Sequence, residues 1–191
     1  MLIIGITGTL GAGKGTIVDF LTGNKGFVHF SVRAFLTDEI RRRGMPVNRD
    51  SMVIVANELR AAHGPDYIVG QLYEQALISG KNCIIESIRT PGEVELLRGK
   101  GNFYLIAVDA CPEVRYKRVI ERASETDHIS FETFRDNEKR EMDSTDPNNQ
   151  NLRKCIELAG YRVMNDGSIE ELHQQIEKIL INISSQSPNS H

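Results

Sequence analysis

The sequence predicts an α/β protein: a five-stranded parallel sheet with helices on both faces. Three observations predict it. Short apolar runs alternate with helix-length amphipathic segments along nearly the whole chain, as crossover connections between parallel strands require. Most of those runs are continuously apolar, such as Leu2-Ile3-Ile4-Gly5-Ile6, which marks strands covered on both faces. A glycine-rich loop, Gly8 to Gly15, separates the first run from the first helix pattern.

In order, the apolar run 2–6 is the first strand, and Ile17-Val18-Asp19-Phe20-Leu21 starts a helix expected to end near Gly23-Asn24. Residues 26–30 read as a second strand. Ser31 can cap a helix from Val32 to Arg43, which Gly44 stops. Helices follow over Met52 to His63 and from Asp66 to about Ser79, separated by Gly64-Pro65 and closed by Gly80. Residues 81–86 form the third strand, apolar and then acidic at its end. Thr90-Pro91-Gly92-Glu93 is a capping box with proline at the first helical position, opening a short helix to Arg98. Residues 102–109 are the fourth strand, and Pro112 opens the next helix. A polar loop, 124–128, precedes a charged helix over 130–142; an irregular stretch, 143–150, leads to a helix over 151–159. Residues 161–164 are the fifth strand, and Ser168-Ile169-Glu170-Glu171 is a second capping box, for a last helix to about Ile183. Residues 184–191 read as a polar tail. One domain over 1–183 is expected. The stretch 32–79 is long for a single crossover and reads as a helical substrate-binding insertion.

The loop carries the chemistry. Gly8, Gly11, Gly13 and Gly15 let the backbone curl so that successive N–H groups point inward, at the positive end of the following helix. With Lys14 this is the context of a P-loop, an ATP site spanning Gly8, Gly11, Ala12, Gly13, Lys14, Gly15 and Thr16. The Ser/Thr position of the strict motif is Gly15, and Thr16 comes one later. The spelling G-x-x-G-x-G-K-G-T resembles that of adenylate kinases and other nucleoside monophosphate kinases. The resemblance implies ATP and Mg²⁺ as cofactors, with the Thr16 hydroxyl reaching the α-phosphate and water largely holding the metal.

Other site residues follow from strand ends and from that resemblance. Glu86, a carboxylate ending an apolar strand, is placed to order Mg²⁺ through its water shell, with Asp109 as the alternative. Members of the resembled family more often carry Asp-Gly where Glu86-Ser87 stands. Glu86-Ser87-Ile88-Arg89 is similar to their Asp-Gly-x-x-Arg pattern, which implies that Arg89 holds an acceptor phosphate; a guanidinium suits that group through paired hydrogen bonds. Arg115, Arg118 and Arg122 share a helix face and resemble the start of the family's lid, which implies a lid region over 115–140 and an acceptor-binding role for the insertion at 32–79. Arg118 and Arg122, nearer the loop, are the favoured catalytic pair, and Arg135 and Arg140 are further lid candidates. Ser31, Arg33 and Arg60 belong to the candidate acceptor segment, whereas Arg41, Arg42 and Arg43 read as a solvated helix end. Asn165 opens a turn that in similar kinases lies against the adenine.

Composition narrows the field. The net charge of −3 over 191 residues suggests no bulk nucleic-acid or membrane binding. Cys83, Cys111 and Cys155 have no metal-ligand spacing and read as reduced thiols. The amino-terminal apolar run is too short for a signal or a span, so a cytoplasmic monomer or small homo-oligomer with a small-molecule nucleotide substrate is expected. The five histidines form no triad.

Three functions compete. A nucleoside or deoxynucleoside monophosphate kinase needs positioning and cationic clamping but no general base. A dephospho-CoA kinase, or another small-molecule kinase acting on a hydroxyl, benefits from a carboxylate near the acceptor. Members of the dephospho-CoA family resemble one another in an Asp-x-Asp after the second strand, where Ser31-Val32-Arg33 stands here; Asp38 and Glu39 lie a turn or two later. A regulatory ATP-binding module without turnover would need no acceptor arginines. Arg89 and the lid arginines favour the first.

Overall fold

A computed structural model describes residues 1–122 and 129–186. The strands are β1 (Ile3–Gly8), β2 (Val28–Ser31), β3 (Cys83–Glu86), β4 (Phe103–Asp109) and β5 (Tyr161–Met164). They form one sheet in the order β2-β3-β1-β4-β5, and every pairing is parallel. The helices are α1 (Lys14–Lys25), α2 (Val32–Arg42), α3 (Arg49–His63), α4 (Tyr67–Ser79), α5 (Pro91–Gly99), α6 (Pro112–Arg122), α7 (Phe131–Met142), α8 (Leu152–Leu158) and α9 (Ile169–Gln186).

The strand pleat sorts the apolar side chains between two cores. Ile4, Ile6, Ile84, Ile106 and Val163 pack with Ile17 and Leu21 of α1 and with Leu172, Ile176 and Ile183 of α9. Ile3, Cys83, Ile85 and Leu105 face the other way, onto α2, α3, α4, α5 and α8 through Leu36, Val55, Ile68, Val94 and Cys155. Both faces are covered, as continuous apolar strands demand. The helix after β1 and the helix after β3 lie on opposite faces, so a crevice opens at the carboxyl ends of these adjacent strands, where open α/β sheets place ligands.

Element boundaries shift from expectation for local reasons. α1 runs past Gly23-Asn24 to Lys25, because the left-handed residue that closes it is Gly26, with φ 70°. β2 begins two residues later than expected, at Val28, and extends to Ser31. α3 starts at Arg49 rather than Met52, because the Asn48 side chain accepts from Ser51 N and caps it earlier. Both capping boxes form: Thr90 with Glu93, and Ser168 with Glu171. The expected tail at 184–191 is in part helix. Ser184 Oγ donates to Leu180 O and Ser185 Oγ to Asn182 O, so both hydroxyls are satisfied on α9, which continues to Gln186. Residues 187–191 and the loop expected at 124–128 lie outside the described residues.

Candidate active site

Parallel pairing brings five strand ends to one edge. The register sets Ser31 beside Glu86 and Glu86 beside Ile6, two residues before Gly8. A cavity of about 590 Å³ opens there. It is lined by the P-loop, by Glu86, Ser87 and Arg89 after β3, by His29 and Arg33 around β2, by Arg49 of α3, by Arg118 and Arg122 of α6, by Glu141 of α7, and by Asn165 and Gly167 after β5.

The loop after β1 has the backbone a phosphate cradle needs. Gly8, Gly11 and Gly13 have φ of 143°, 79° and 102°. A Cβ on Gly8 would stand 2.0 Å from Val108 O, and one on Gly11 2.4 Å from Arg115 O. The conformation and the space both exclude a side chain. Lys14 Nζ donates to Gly8 O at 2.9 Å and Thr9 O at 2.8 Å, curling back over the loop. Desolvation of this ammonium, reinforced by the Arg89 charge, lowers its pKa to about 7. Glu86, Glu141 and Arg49 also act on its charge, and all of them line the same cavity.

A belt of side chains braces the loop. Arg115, 3% exposed, donates Nε to Ala110 O at 2.8 Å and Nη1 to Leu10 O at 3.3 Å. It pairs with Glu138 at 2.7 Å and Asp109 at 3.3 Å and lies over the Phe134 ring. Thr9 Oγ1 donates to Asp109 Oδ1 at 2.5 Å, and Asp109 also accepts from Ala110 N. Asp109, the alternative metal carboxylate, is therefore committed to the loop's framework. Asn165 Nδ2 donates to Ala12 O at 2.9 Å. The expected adenine-side residue thus supports the P-loop through its side chain. Arg115, ranked below Arg118 and Arg122 by its distance from the lid loop, is a brace of the cradle.

On the other side of Lys14, Glu86 accepts from Ser31 Oγ at 3.1 Å and Ser87 Oγ at 2.5 Å, with His29 Nε2 3.9 Å away. Ser87 sits at φ 66°, a conformation that favours glycine, so the Glu86-Ser87 departure leaves strained backbone at the strand end. Ser31 also caps α2. Among the described residues no group of three or more His, Cys, Asp or Glu is arranged to hold a metal. A Mg²⁺ ion at Glu86 would therefore complete its shell with water and phosphate oxygens, as its coordination habits favour, and a carboxylate at the strand end beside the cradle fits that role.

Arg89 is held on both ends. Its N–H donates to Glu93 Oε2 at 2.7 Å and its carbonyl accepts from Asn151 N at 2.9 Å. Its Nη1 donates to Glu141 Oε2 at 2.5 Å and to Gln150 Oε1 at 3.0 Å. Arg49 Nη2 donates to the other oxygen of Glu141, while its buried Nε has no hydrogen-bond partner. Burial pushes the Glu141 carboxyl up, but the two guanidiniums outweigh it and hold it below the usual carboxylate range.

Not every expected residue reaches the cavity in the expected way. Arg60 borders it but is 1% exposed and turned inward, with Nη2 on Glu93 Oε1 at 2.8 Å and the carboxylate wholly buried. It is a buried strut from α3 to Glu93 of α5 that borders the cavity with which its expected acceptor role was associated. Arg33 lines the cavity. Arg42 and Arg43 pair with Glu39, and Arg41 with Asp38, so those carboxylates are occupied at the helix end, away from the cavity lining. Arg118 lines the cavity with a buried Nη1 that has no partner, and Arg122 lines it too. Arg140 pairs with Asp50 at 3.5 Å; neither it nor Arg135 is in the cavity lining. Sequence reasoning missed Arg49, Glu141 and Gln150: Arg49 meets Glu141 across 92 positions and Gln150 meets Arg89 across 61, and no local pattern marks such a meeting.

This sheet order, cradle and lysine define a kinase-like P-loop nucleotide-binding fold. The sequence profile of the AAA domain family matches residues 4–149. A UPF0200 protein of Methanococcus vannielii is 30% identical over 190 residues, covering 96% of this chain and 99% of that one. Another, from Pyrococcus abyssi, is 27% identical, covering 94% of this chain and 95% of its own. The chain belongs to the AAA domain family and to the UPF0200 family. Among solved structures it resembles TT1252 from Thermus thermophilus (TM-score 0.62, 20% identity, 95% of this chain and 97% of that one). It also resembles a gluconokinase from Sinorhizobium meliloti (0.59, 13%, 98% of both) and shikimate kinase from Aquifex aeolicus (0.51, 16%, 97% and 100%).

Proposed function

We propose that the protein binds ATP at Gly8–Thr16 and transfers its terminal phosphoryl group to a small anionic acceptor, a nucleoside or deoxynucleoside monophosphate. The observation that carries this reading is one cavity whose lining brings the P-loop and Lys14 together with Arg89, Arg49, Glu86 and Glu141. The loop amides orient the donor phosphates, and Lys14 follows the transferring group, gaining a full charge when an anion arrives. Bound at Glu86, Mg²⁺ would neutralise charge on the donor phosphates. Arg89, fixed at its backbone by Glu93 and Asn151, receives the acceptor's phosphate, while Arg118 and Arg122 supply charge from α6. Phosphate as acceptor needs no base; in-line placement and charge suffice. Residues 32–79, comprising α2, α3 and α4, are the acceptor-binding segment, and 115–140 the lid.

A second reading is a kinase of a hydroxyl acceptor, which includes dephospho-CoA. Glu86 favours it: a carboxylate held by two serine hydroxyls at the cavity can take a hydroxyl proton. Two of the similar structures are named for gluconate and shikimate phosphorylation. A coupled ADP-release screen over nucleoside and deoxynucleoside monophosphates, dephospho-CoA, gluconate and shikimate separates the two. Turnover confined to hydroxyl acceptors overturns the first reading; turnover with none points to an ATP-binding module. Lys14→Ala is expected to lower turnover by orders of magnitude with the fold intact, and near-normal activity would discard the mechanism.

A further inference from the structure

Glu141 stands where nothing in the phosphoryl-transfer scheme asks for a carboxylate. It is 4% exposed, near the carboxyl end of α7, and each of its oxygens is held by a different guanidinium of the cavity wall. Two cations converging on one planar anion are the arrangement that recognises a carboxylate or phosphate. We propose that Arg49 and Arg89 form the acceptor's anion subsite and that Glu141 is its resident counter-ion, displaced when the acceptor's phosphate enters. The inference rests on the reading that this cavity takes an anionic acceptor.

Three features support displacement over a fixed strut. Arg89 keeps its position without Glu141, because Glu93, Asn151 and Gln150 hold its backbone and one nitrogen. Arg49 has an unused buried Nε beside the nitrogen that binds Glu141, so it has a donor in reserve for a phosphate, which offers more acceptor oxygens than a carboxylate. α7 stays anchored when Glu141 lets go: Glu138, one turn earlier, holds Arg115 at 2.7 Å, and Phe134 packs under the same guanidinium. A paired counter-ion keeps two cations from lying buried and uncompensated while the subsite is empty, a state that is strongly unfavourable. It also sets a threshold: the entering group must compete with a carboxylate already in place, which discriminates against monoanions.

The test is the affinity of inorganic phosphate for the wild-type protein, Glu141→Gln, and Glu141→Gln combined with Arg49→Gln or Arg89→Gln, by calorimetry at fixed salt. Each titration is run with a saturating non-hydrolysable ATP analogue on the P-loop, so the added phosphate reads the subsite rather than Lys14, whose charge responds to Arg49, Arg89 and Glu141. Glu141→Gln should bind phosphate at least about tenfold tighter, and removal of either arginine should abolish the gain. Unchanged or weaker binding by a folded Glu141→Gln, or a gain that survives loss of the arginines, overturns the proposal. A second measurement uses the wild-type chain alone: phosphate should speed amide exchange at Glu141 and Met142, the helix end beyond the Glu138 anchor, as Glu141 is released. Unchanged or slowed exchange there overturns it as well. If the ADP-release screen shows no monophosphate turnover while these phosphate effects hold, the subsite stands and the assigned acceptor falls.

Discussion

Replacing Glu93 by alanine should destabilise the protein by about 4 kcal/mol or more, and the figure follows from what the carboxylate holds. Glu93 is wholly buried and accepts three hydrogen bonds: Arg60 Nη2 at 2.8 Å, Arg89 N at 2.7 Å and Thr90 N at 3.1 Å. Its partner Arg60 is 1% exposed and already has Nε and Nη1 without partners. Alanine leaves a buried guanidinium uncompensated, which costs about 3–5 kcal/mol, and removes half a capping box worth about 1 kcal/mol. For a chain of this size that lowers Tm by roughly 8–16 °C. Urea unfolding with a shared slope is the assay. Arg60→Met with Glu93→Gln removes the charges together while leaving an acceptor for the helix cap, and should return to within about 2 kcal/mol of wild type. A Glu93→Ala cost under about 1 kcal/mol, the range of exposed pairs, would refute the buried-strut account. Because Glu93 also holds the Arg89 amide, acceptor KM should rise in Glu93→Ala even below its lowered Tm.

Other outcomes follow from the same geometry. Lys14 has its pKa lowered to about 7 from 10.5, so between those values the unfolded chain carries a proton that the free folded protein lacks. Its contribution to stability therefore rises with pH from about 7 toward 10.5. Binding of a non-hydrolysable ATP analogue at pH 8 should take up close to one proton, read from calorimetry in buffers of different ionisation heat, and Lys14→Met should take up none. Gly8→Ala, with its Cβ 2.0 Å from Val108 O, should abolish analogue binding or folding, whereas Gly23→Ala, in open space on α1, should stabilise by roughly 0.5–1 kcal/mol. Burial pushes the Cys83 thiol up to about 11 and the Cys155 thiol up to about 12; both should resist alkylation until the chain unfolds, while exposed Cys111 reacts in the native state.

Much of this was written locally. The alternation of apolar runs and amphipathic helices, the glycine loop with Lys14, the boxes at Thr90 and Ser168, and the carboxylate ending β3 are properties of consecutive residues. The hydrogen bonds of the boxes and of Lys14 close within a few positions, so composition and spacing determine them. The parallel sheet follows, because a continuously apolar strand must be covered on both sides. The fate of the long-range polar groups was decided only in three dimensions. Arg60 and Arg89 both read as acceptor ligands and both border the cavity, yet Arg60 is turned onto the wholly buried Glu93 while Arg89 pairs with Glu141 in the cavity wall. Arg115 and Arg118 are three positions apart and turned only about 60° from one another around α6, yet packing commits one to the P-loop backbone and leaves the other in the cavity lining. Arg49 and Glu141 are 92 residues apart, and what joins them is the docking of α7 across the crevice. An ionisable side chain takes its role from the partner and the solvent it finds after folding, and neither is encoded in its neighbours along the chain.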